Sequence, residues 1–469
     1  MKKQALNPFL PGWEYIPDGE PHVFGDRVYL YGSHDRFNGE NFCLNKYVGW
    51  SAPVDDLSDW NFHGEIFDVD ADPFNADGKY QGYAPDACKG PDGRYYLFYA
   101  LNNDQFVSVA VCDTPAGKFE FYGHVKTPDG RIYGADKNDV FMFDPAVLVD
   151  DDGRVHLYVG FSASGDMPEV LEEHQKRCRC DGGWHIELES DMVTMKTEPK
   201  LVCPGHFFAK GTSFEDHGFF EGPSMRKFNG KYYFIYSSCL YHELCYAVGD
   251  APDGPFEFKG TLVSNGDVGY KGREVPVNHT SNNHGSIERV GDDYYVFYHR
   301  HTNMTMYSRQ ACAEKLIMND DGTFDQVEIT SCGLNGGPLK AEGEYSARIA
   351  CNIFAWMDSP AYLTQNGLDR ECDDDQYITN MTDTSFIGFK YFDFRGGEKI
   401  TVKAKCTADA HLEVSHNREE APFARIEIRK TDDVTEFTAE GVAECGVLPL
   451  YFTYKGDGKA DIISIKMSK

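Results

Sequence analysis

The sequence Asp92-Gly93-Arg94-Tyr95-Tyr96-Leu97-Phe98-Tyr99 joins a tight turn to a run of aromatic and aliphatic residues. An Asp-Gly pair suits a type I′ hairpin turn, because both turn residues need a positive φ angle. The Tyr, Leu and Phe residues that follow are typical of β-strands. The same form occurs four more times, at residues 25–31, 152–158, 229–236 and 291–298.

The spacing of these five segments predicts the architecture. Their turn glycines, at positions 25, 93, 153, 230 and 291, are separated by 68, 60, 77 and 61 residues. Each interval has room for one four-stranded unit with its loops, and five such units arranged radially form a β-propeller, which protects its sheet edges by repetition. An irregular β-sandwich with similar hairpins is the alternative. The regular form of the repeat favours an all-β, five-bladed β-propeller.

Each repeat also carries an ionisable residue seven to nine positions before its turn glycine. These residues are Asp18, Asp86, Asp144, Glu221 and His284. In a propeller the innermost strands surround a central channel, so equivalent positions on five blades would face one another across it. Like charges held close together raise each other's pKa. Ionisable groups gathered in a cleft in this way predict an active site.

Two carboxyl groups at one site are typical of glycoside hydrolases, because the reaction needs one protonated acid and one ionised base or nucleophile. Glu221 lies in Phe219-Phe220-Glu221-Gly222-Pro223, an apolar setting that would raise its pKa and suit it to the acid role. Asp18 lies between Pro17 and Gly19, in a turn that would hold a base in place. Asp144 would orient the acid. Taken singly, each residue is more simply a turn former or a solvated charge, and the repeated position is what favours a site.

Composition excludes several other classes of function. The chain has 45 basic and 75 acidic residues, a net charge of −30, which argues against binding nucleic acid or an anionic membrane. No apolar run is long enough to span a membrane. No apolar segment follows Lys2 and Lys3, so we expect a cytoplasmic protein whose 14 cysteines are mostly buried, reduced thiols. Cys178-Arg179-Cys180 is only a weak metal-binding signal.

At these positions the sequence resembles glycoside hydrolase family 43, over about residues 5–330. The resemblance implies a five-bladed propeller and an inverting mechanism, with Asp18 as general base, Asp144 as the residue that orients and tunes the acid, and Glu221 as general acid. Inversion requires the acid and base carboxyls to lie about 6.5–9.5 Å apart. The motifs that carry the resemblance are those at residues 7–12, 16–21, 31–35, 84–86, 143–147, 220–224 and 283–287.

The resemblance also implies roles for residues around the three carboxylates. His284 matches a central histidine that in many members faces a channel ion, often Ca²⁺, through water; the alternative is a hydrogen-bonded histidine with no ion. Arg309 matches an arginine near the pocket, where it would pair with a carboxylate or a sugar hydroxyl, and a strand-surface salt bridge is the alternative. Asp86 is predicted to bind substrate. Tyr83, where the family often has Trp, and His34 are predicted pocket-wall residues, although either would also fit packing between blades.

The C-terminal part of the chain has a different pattern. The propeller is predicted to occupy residues 1–332, and a glycine-rich link follows at residues 333–338. Residues 340–469 contain short alternating segments, such as residues 399–404, which predict a β-sandwich. This region resembles carbohydrate-binding module family 6. It would either bind sugar or buttress the propeller, and we favour the buttress. Residues 167–183 are predicted to form a rim loop or a short helix.

These features predict an inverting, exo-acting glycosidase that takes an oligosaccharide and needs no organic cofactor. The activity that we expect is that of an α-L-arabinofuranosidase removing arabinose side chains from arabinoxylan-derived oligosaccharides. A β-D-xylosidase acting on xylo-oligosaccharides and an endo-arabinanase are alternatives, because the same three carboxylates serve all of them. A sugar-binding propeller without catalysis is a fourth alternative, which the intact set of carboxylates disfavours.

Overall fold

The computed structural model describes residues 3–102, 106–164, 167–354, 360–370, 375–439 and 441–469. The N-terminal part contains five antiparallel sheets, and each of the five predicted hairpins lies in its own sheet. Four of these sheets have four strands and the fifth has three. The strands of the first two sheets are β1 (Glu20–Phe24), β2 (Arg27–Tyr31), β3 (Tyr47–Pro53), β4 (Asn61–Phe67), β5 (Asp86–Lys89), β6 (Tyr95–Ala100), β7 (Val107–Cys112) and β8 (Glu120–His124).

The next three sheets follow in chain order. Their strands are β9 (Ala146–Val149), β10 (Val155–Phe161), β11 (Gly182–Leu188), β12 (Lys200–Pro204), β13 (Phe219–Phe228), β14 (Lys231–Ser238), β15 (Glu243–Gly249), β16 (Phe256–Ser264), β17 (Ser286–Val290), β18 (Asp293–His301) and β19 (Arg309–Leu316). Within each sheet the strands are paired in sequence order. The predicted rim segment contains helix α1 (Pro168–Gln175), and no helix in the described ranges is long and apolar enough to span a bilayer.

The hairpin turns follow the prediction only in part. Asn229 and Gly230 have φ angles of 51° and 77°, as a type I′ turn requires. At Gly93 and Gly153 only the glycine has a positive φ, so the type I′ prediction is wrong there. The hydrogen bond from Gly90 N to Arg94 O, like that from Asp150 N to Arg154 O, encloses a three-residue loop. In such loops a glycine in the left-handed region follows a type I turn.

Apolar cores lie between neighbouring sheets all the way round. One core joins residues of the first and fifth sheets, including Trp50 and Phe297, and the others join successive sheets. The N-terminal segment completes the fifth sheet: Phe9 N donates to Ala311 O at 3.2 Å, and the Asn7 side chain bonds both the N–H and the carbonyl of Ala313. The five sheets are therefore the blades of a closed propeller, with β1, β5, β9, β13 and β17 innermost.

The C-terminal part forms two further sheets around a separate core. Its strands are β20 (Leu339–Lys340), β21 (Gly343–Ser346), β22 (Asn352–Phe354), β23 (Tyr362–Thr364), β24 (Tyr377–Met381), β25 (Phe386–Arg395), β26 (Lys399–Cys406), β27 (Ala410–Ser415), β28 (Ala424–Ile428), β29 (Thr435–Thr438), β30 (Cys445–Gly456) and β31 (Ala460–Ser468). One sheet has the order β20-β25-β30-β27-β28, with β22 also paired to β25; the other has the order β23-β24-β31-β26-β29, with β21 also paired to β31. Two stacked sheets with one core form the predicted sandwich.

Polar contacts bind the sandwich to the fifth blade. Asn278 Nδ2 donates to the carbonyl of Cys351 at 2.7 Å, and Lys390 Nζ lies 2.8 Å from Glu328 Oε1 and 3.4 Å from Asp267 Oδ2. Thirteen cysteines fall within the described residues; none of them is in a disulfide and eleven are buried. Cys178 and Cys180 have their Sγ atoms 3.5 Å apart.

Candidate active site

A pocket of about 230 Å³ lies where the innermost strands of the blades begin. All three carboxylates predicted to be catalytic, Asp18, Asp144 and Glu221, belong to its wall. Tyr83, His284 and Arg309 line it as well, and apolar side chains complete the wall at Phe42, Phe143, Met167, Phe220, Tyr241 and Met306. The pocket lining therefore combines charged groups with apolar, largely aromatic side chains, which suits a sugar with polar edges and an apolar face.

Asp18 is held by hydrogen bonds to both of its carboxylate oxygens. Ser33 Oγ donates to Oδ2 at 2.6 Å, and Arg309 Nη1 donates to Oδ1 at 2.9 Å. The backbone N–H of Asp18 donates to His299 Nδ1 at 3.2 Å. Burial and the nearby Arg309 charge hold the pKa of His299 well below its usual value, so this ring stays neutral and accepts the bond. Together these contacts fix the direction of the Asp18 carboxylate.

Arg309 connects Asp18 to a second buried carboxylate. Its Nε and Nη2 atoms pair with the two oxygens of Asp35 at 2.8 and 3.0 Å, while Nη1 faces Asp18. The guanidinium lies 4.7 Å from the ring centroid of Phe42. Of the two readings of Arg309, the structure supports the buried pair with a carboxylate rather than a strand-surface salt bridge, because the side chain is 3% exposed.

The surroundings of Glu221 and Asp144 raise the pKa of both carboxyl groups. Burial and the Asp18 carboxylate raise the pKa of Glu221 to about 7. Burial, with the carboxylates of Glu221 and Asp18, raises the pKa of Asp144 well above its usual value. Two buried carboxyl groups and a half-buried one in the same pocket cannot all be ionised at low cost. The group therefore keeps a proton into the neutral pH range.

The backbone around Glu221 is shaped for close packing. The pairing of β13 with β14 shifts register between Phe219 and Ser224, so a bulge surrounds Glu221. Gly222 has a φ of 63°, and a Cβ atom there would lie 2.8 Å from the ring of His284. Its N–H donates to Asp144 Oδ2 at 3.2 Å. A glycine after Glu221 thus lets the chain approach both Asp144 and His284.

Comparison with known proteins agrees with this geometry. The sequence profile described as glycosyl hydrolases family 43 matches residues 6–324. The chain belongs to this family. A protein from Thermoclostridium stercorarium named xylosidase/arabinosidase is 46% identical over 100% of this chain and 99% of its own length. As a member of family 43, the protein is a glycoside hydrolase.

Solved structures give the same fold. A Bacillus subtilis family 43 arabinoxylan arabinofuranohydrolase, solved with cellotetraose, matches with a TM-score of 0.53 at 19% identity, covering 99% of this chain and 97% of that one. A β-xylosidase/α-arabinofuranosidase from a compost metagenome was solved with xylotriose in a calcium-free form. It matches with a TM-score of 0.53 at 25% identity, covering 70% of this chain and 98% of the other.

His284 lies just before the innermost strand β17, among three carboxylates of other blades. Its Nδ1 atom lies 3.9 Å from both Asp18 Oδ1 and Asp144 Oδ2, and its Nε2 lies 3.9 Å from Glu20 Oε1. Burial lowers the pKa of His284, so the ring is neutral at neutral pH. None of these separations is a hydrogen bond, so the ring lies among three carboxylates without a direct bond to any of them.

The channel below His284 offers a donor set that suits a hard cation. Glu20 Oε1 is buried and has no hydrogen-bond partner within the described structure. Burial and the Asp86 carboxylate raise the pKa of Glu20 to about 8. Ligand atoms of Glu20, His22 and Asp86 all lie within 4.8 Å of one another. Carboxylate oxygens are the ligands Ca²⁺ prefers, and a direct imidazole bond to Ca²⁺ would be unusual. Glu20 Oε1, together with the neighbouring Asp86 carboxylate, therefore offers oxygen ligands of the kind that would hold a Ca²⁺ ion.

Two predicted substrate-binding residues do not reach the pocket of this family 43 hydrolase. His34 is buried behind it, with Nε2 2.8 Å from Glu14 Oε1 and Nδ1 2.6 Å from the carbonyl of Lys46. Asp86 points into the channel, where Oδ1 lies 2.6 Å from His22 Nε2 and Oδ2 accepts from Val147 N. Both side chains have protein partners and neither lines the pocket, so the structure does not place them against a sugar bound there. Tyr83, by contrast, lies at the pocket wall, 5.9 Å from the ring of Phe143.

Several site residues were missed in the sequence. Phe42, Cys43 and Asp35 come from the irregular segment between β2 and β3, which has no repeat to mark it. Glu20 had a readable signal, because it is an acidic residue two positions after Asp18, at the start of the innermost strand β1. Arg226, which donates to Glu20 Oε2 at 2.8 Å, likewise lies on the innermost strand β13.

Proposed function

We propose that this family 43 hydrolase is an inverting, exo-acting α-L-arabinofuranosidase that removes arabinose side chains from arabinoxylan-derived oligosaccharides. The observation that carries the proposal is the different environment of the carboxylates in one pocket. Asp18 is oriented by Arg309 and Ser33, whereas Glu221 is half-buried and has its pKa raised to about 7. Pairs of carboxyl groups whose environments differ in this way divide acid and base roles.

In the proposed reaction, Glu221 donates its proton to the glycosidic oxygen as the bond to the leaving group breaks. Asp18 accepts a proton from the water that attacks the anomeric carbon from the opposite face, and the product has inverted configuration. Asp144 accepts a hydrogen bond from Gly222 N, the residue after the acid, and so orients Glu221. Arg309 keeps the base aimed at the position of the water.

The size of the pocket supports exo action. Its volume of about 230 Å³ is below the roughly 300–1,000 Å³ of pockets that enclose drug-sized ligands. A cavity of this size suits one terminal sugar, with the rest of the oligosaccharide outside. Tyr83 and Phe143 supply flat apolar surface for the face of that sugar.

A β-D-xylosidase is the second candidate, and a specific finding favours it. The Thermoclostridium stercorarium relative, at 46% identity, carries both activities in its name. Arabinofuranose and xylopyranose are pentoses of the same composition, so one pocket of this size suits either. The two sugars differ in ring shape and in the direction of their hydroxyl groups, which direct kinetics distinguishes.

The proposal includes Ca²⁺ in the channel, held by Glu20 and Asp86 and by His284 through water. The ion would supply positive charge that offsets the repulsion between the channel carboxylates. Because Arg226 already pairs with the far oxygen of Glu20, we expect the ion to add stability rather than to be required for folding. Chelation should then lower the melting temperature, and added Ca²⁺ should restore it.

The experiment that tests the proposed function compares hydrolysis of an aryl α-L-arabinofuranoside and an aryl β-D-xylopyranoside, with NMR detection of the first-formed anomer. A higher kcat/KM on the arabinoside, with inversion, supports the proposal. A preference for the xyloside assigns the enzyme to the second candidate. Retention of configuration, or turnover only of polymeric arabinan, would contradict the proposal.

A further inference from the structure

The sandwich domain reaches the propeller at a segment directly behind the pocket. Asp369 Oδ1 accepts the backbone N–H of Phe37 at 2.7 Å, and Asp369 Oδ2 accepts Asn45 Nδ2 at 3.0 Å. Phe37 and Asn45 both belong to residues 35–45, the irregular connection between β2 and β3, which we call the pocket loop. One carboxylate of the sandwich thus bonds the pocket loop near both of its ends.

The pocket loop supplies two parts of the active site. Phe42 and Cys43 line the pocket, and Asp35 holds the guanidinium of Arg309 through two hydrogen bonds. Asn45 Nδ2, which Asp369 bonds, also donates to the carbonyl of Asp35 at 2.9 Å. A continuous series of hydrogen bonds therefore runs from Asp369 through Asn45, Asp35 and Arg309 to Asp18.

The neighbouring residue fixes the base of the same loop. Arg370 Nη1 donates to both oxygens of Glu14, at 2.8 and 3.0 Å. The Arg370 guanidinium also lies 4.7 Å from the ring centroid of Trp13 and 5.0 Å from that of Phe62. Glu14 is 1% exposed and accepts from His34 Nε2 at 2.8 Å, just before the pocket loop begins. The sandwich thus supplies the cation that pairs with a buried carboxylate of the first blade.

We propose that Asp369 and Arg370 of the sandwich are positioning residues for catalysis, which hold the pocket loop so that Asp35 and Arg309 keep the Asp18 carboxylate aimed at the attacking water. The inference rests on the proposed function only in giving Asp18 the role of base. It means that the sandwich completes the active site of the propeller. Misplacement of a reacting group by about 1 Å costs on the order of 10²-fold in rate, so the effect of a loosened loop is measurable.

The first test is Asp369→Asn in the full chain. The amide keeps the shape of the side chain, but its NH₂ group replaces one of the two acceptor oxygens, so one of the two donors, Phe37 N or Asn45 Nδ2, loses its acceptor. We expect kcat on the preferred aryl glycoside to fall about tenfold or more, with a melting temperature close to that of the unchanged protein. The matched control is Asp375→Asn, because Asp375 is also an aspartate where the sandwich meets the propeller, pairing with Arg348 at 3.2 Å, and it has no bond to the pocket loop. The control should keep kcat and KM.

A double-mutant cycle separates positioning from general destabilisation. If Asp369 acts through Arg309, Asp369→Asn should cost much less in an Arg309→Lys background than in the unchanged protein, because the orientation of Asp18 is already lost. Additive losses, or an Asp369→Asn variant with unchanged kcat and KM, would overturn the inference. A separate variant tests the role of Asp18 as base. If Asp18 is not the base, Asp18→Asn should retain turnover, whatever effect Asp369→Asn has.

Discussion

Nη1 of Arg309 lies 2.9 Å from Oδ1 of Asp18, and both side chains are buried. The two residues are 291 positions apart, one just before the first blade and the other at the start of β19 in the fifth. Their contact exists only because the propeller closes on itself. The orientation of the proposed base therefore depends on ring closure, and so does the activity.

Arg309→Lys should lower kcat by about 10²-fold, because a lysine ammonium cannot pair with Asp35 and Asp18 through a planar fork. Steady-state kinetics on an aryl glycoside measures the loss. Arg289→Lys is the control, since Arg289 is half exposed on β17, where it pairs with the exposed Asp292 and lies over the ring of Tyr294. Unchanged kcat in Arg309→Lys would show that the fork has no part in orienting Asp18.

Glu221→Gln should remove general acid catalysis and spare substrates that need little of it. We expect a loss of roughly 10²–10⁴-fold on glycosides with poor leaving groups and a much smaller loss on dinitrophenyl glycosides. The control is Glu215→Gln, an exposed glutamate six residues earlier in the chain. An equal loss for both kinds of leaving group would argue that Glu221 is not the proton donor.

The pH dependence should reflect the raised pKa of Glu221. The acid must hold its proton to act, and burial with the Asp18 charge raises its pKa to about 7. A plot of kcat/KM against pH should therefore fall above about pH 7, by tenfold per unit, because the protonated fraction falls as pH rises through the pKa. A fall that begins near pH 4–5, as for an ordinary glutamate, would contradict this assignment.

Tyr83 should contact the substrate through its aromatic ring rather than through its hydroxyl group. Tyr83→Phe keeps the aromatic face and should leave KM nearly unchanged, whereas Tyr83→Ala removes a stacking contact of roughly 0.5–1.5 kcal/mol and should raise KM by about 2- to 12-fold. Initial-rate measurements on both aryl pentosides test this. A large effect of Tyr83→Phe would instead place the hydroxyl group on the substrate.

Lys390 should be central to the attachment of the sandwich. Its side chain is 1% exposed and faces Asp267 and Glu328, so Lys390→Met leaves two acidic groups without their cation. Removing one partner of a buried ion pair costs about 3–5 kcal/mol, which denaturant unfolding measures as a lower free energy of unfolding. Lys200→Met, in an exposed pair with Asp253, should cost no more than about 1 kcal/mol. A cost that small at Lys390 would exclude this role.

The sequence by itself determined the five hairpins and the five ionisable positions that precede them. Turn residues such as Asn229-Gly230 and the aromatic strands after them express preferences of the local backbone, and these preferences recur in each blade. The repeat therefore predicted the innermost strands and the meeting of Asp18, Asp144, Glu221 and His284. The resemblance to family 43 rested on the same short motifs.

Only the tertiary structure decided which way individual side chains face and what they meet. His34 lies in a recognisable motif, yet its ring turns away from the pocket to Glu14 and to Arg370, which is 336 positions away. Asp35, Arg226 and Asp369 have no equivalent among the five repeated ionisable positions, and their partners come from distant parts of the chain. Local backbone preference determines strands and turns. A buried charged side chain meets its partner only when the blades and the sandwich pack together, because the same packing forms the contact and buries it, and burial strengthens the contact.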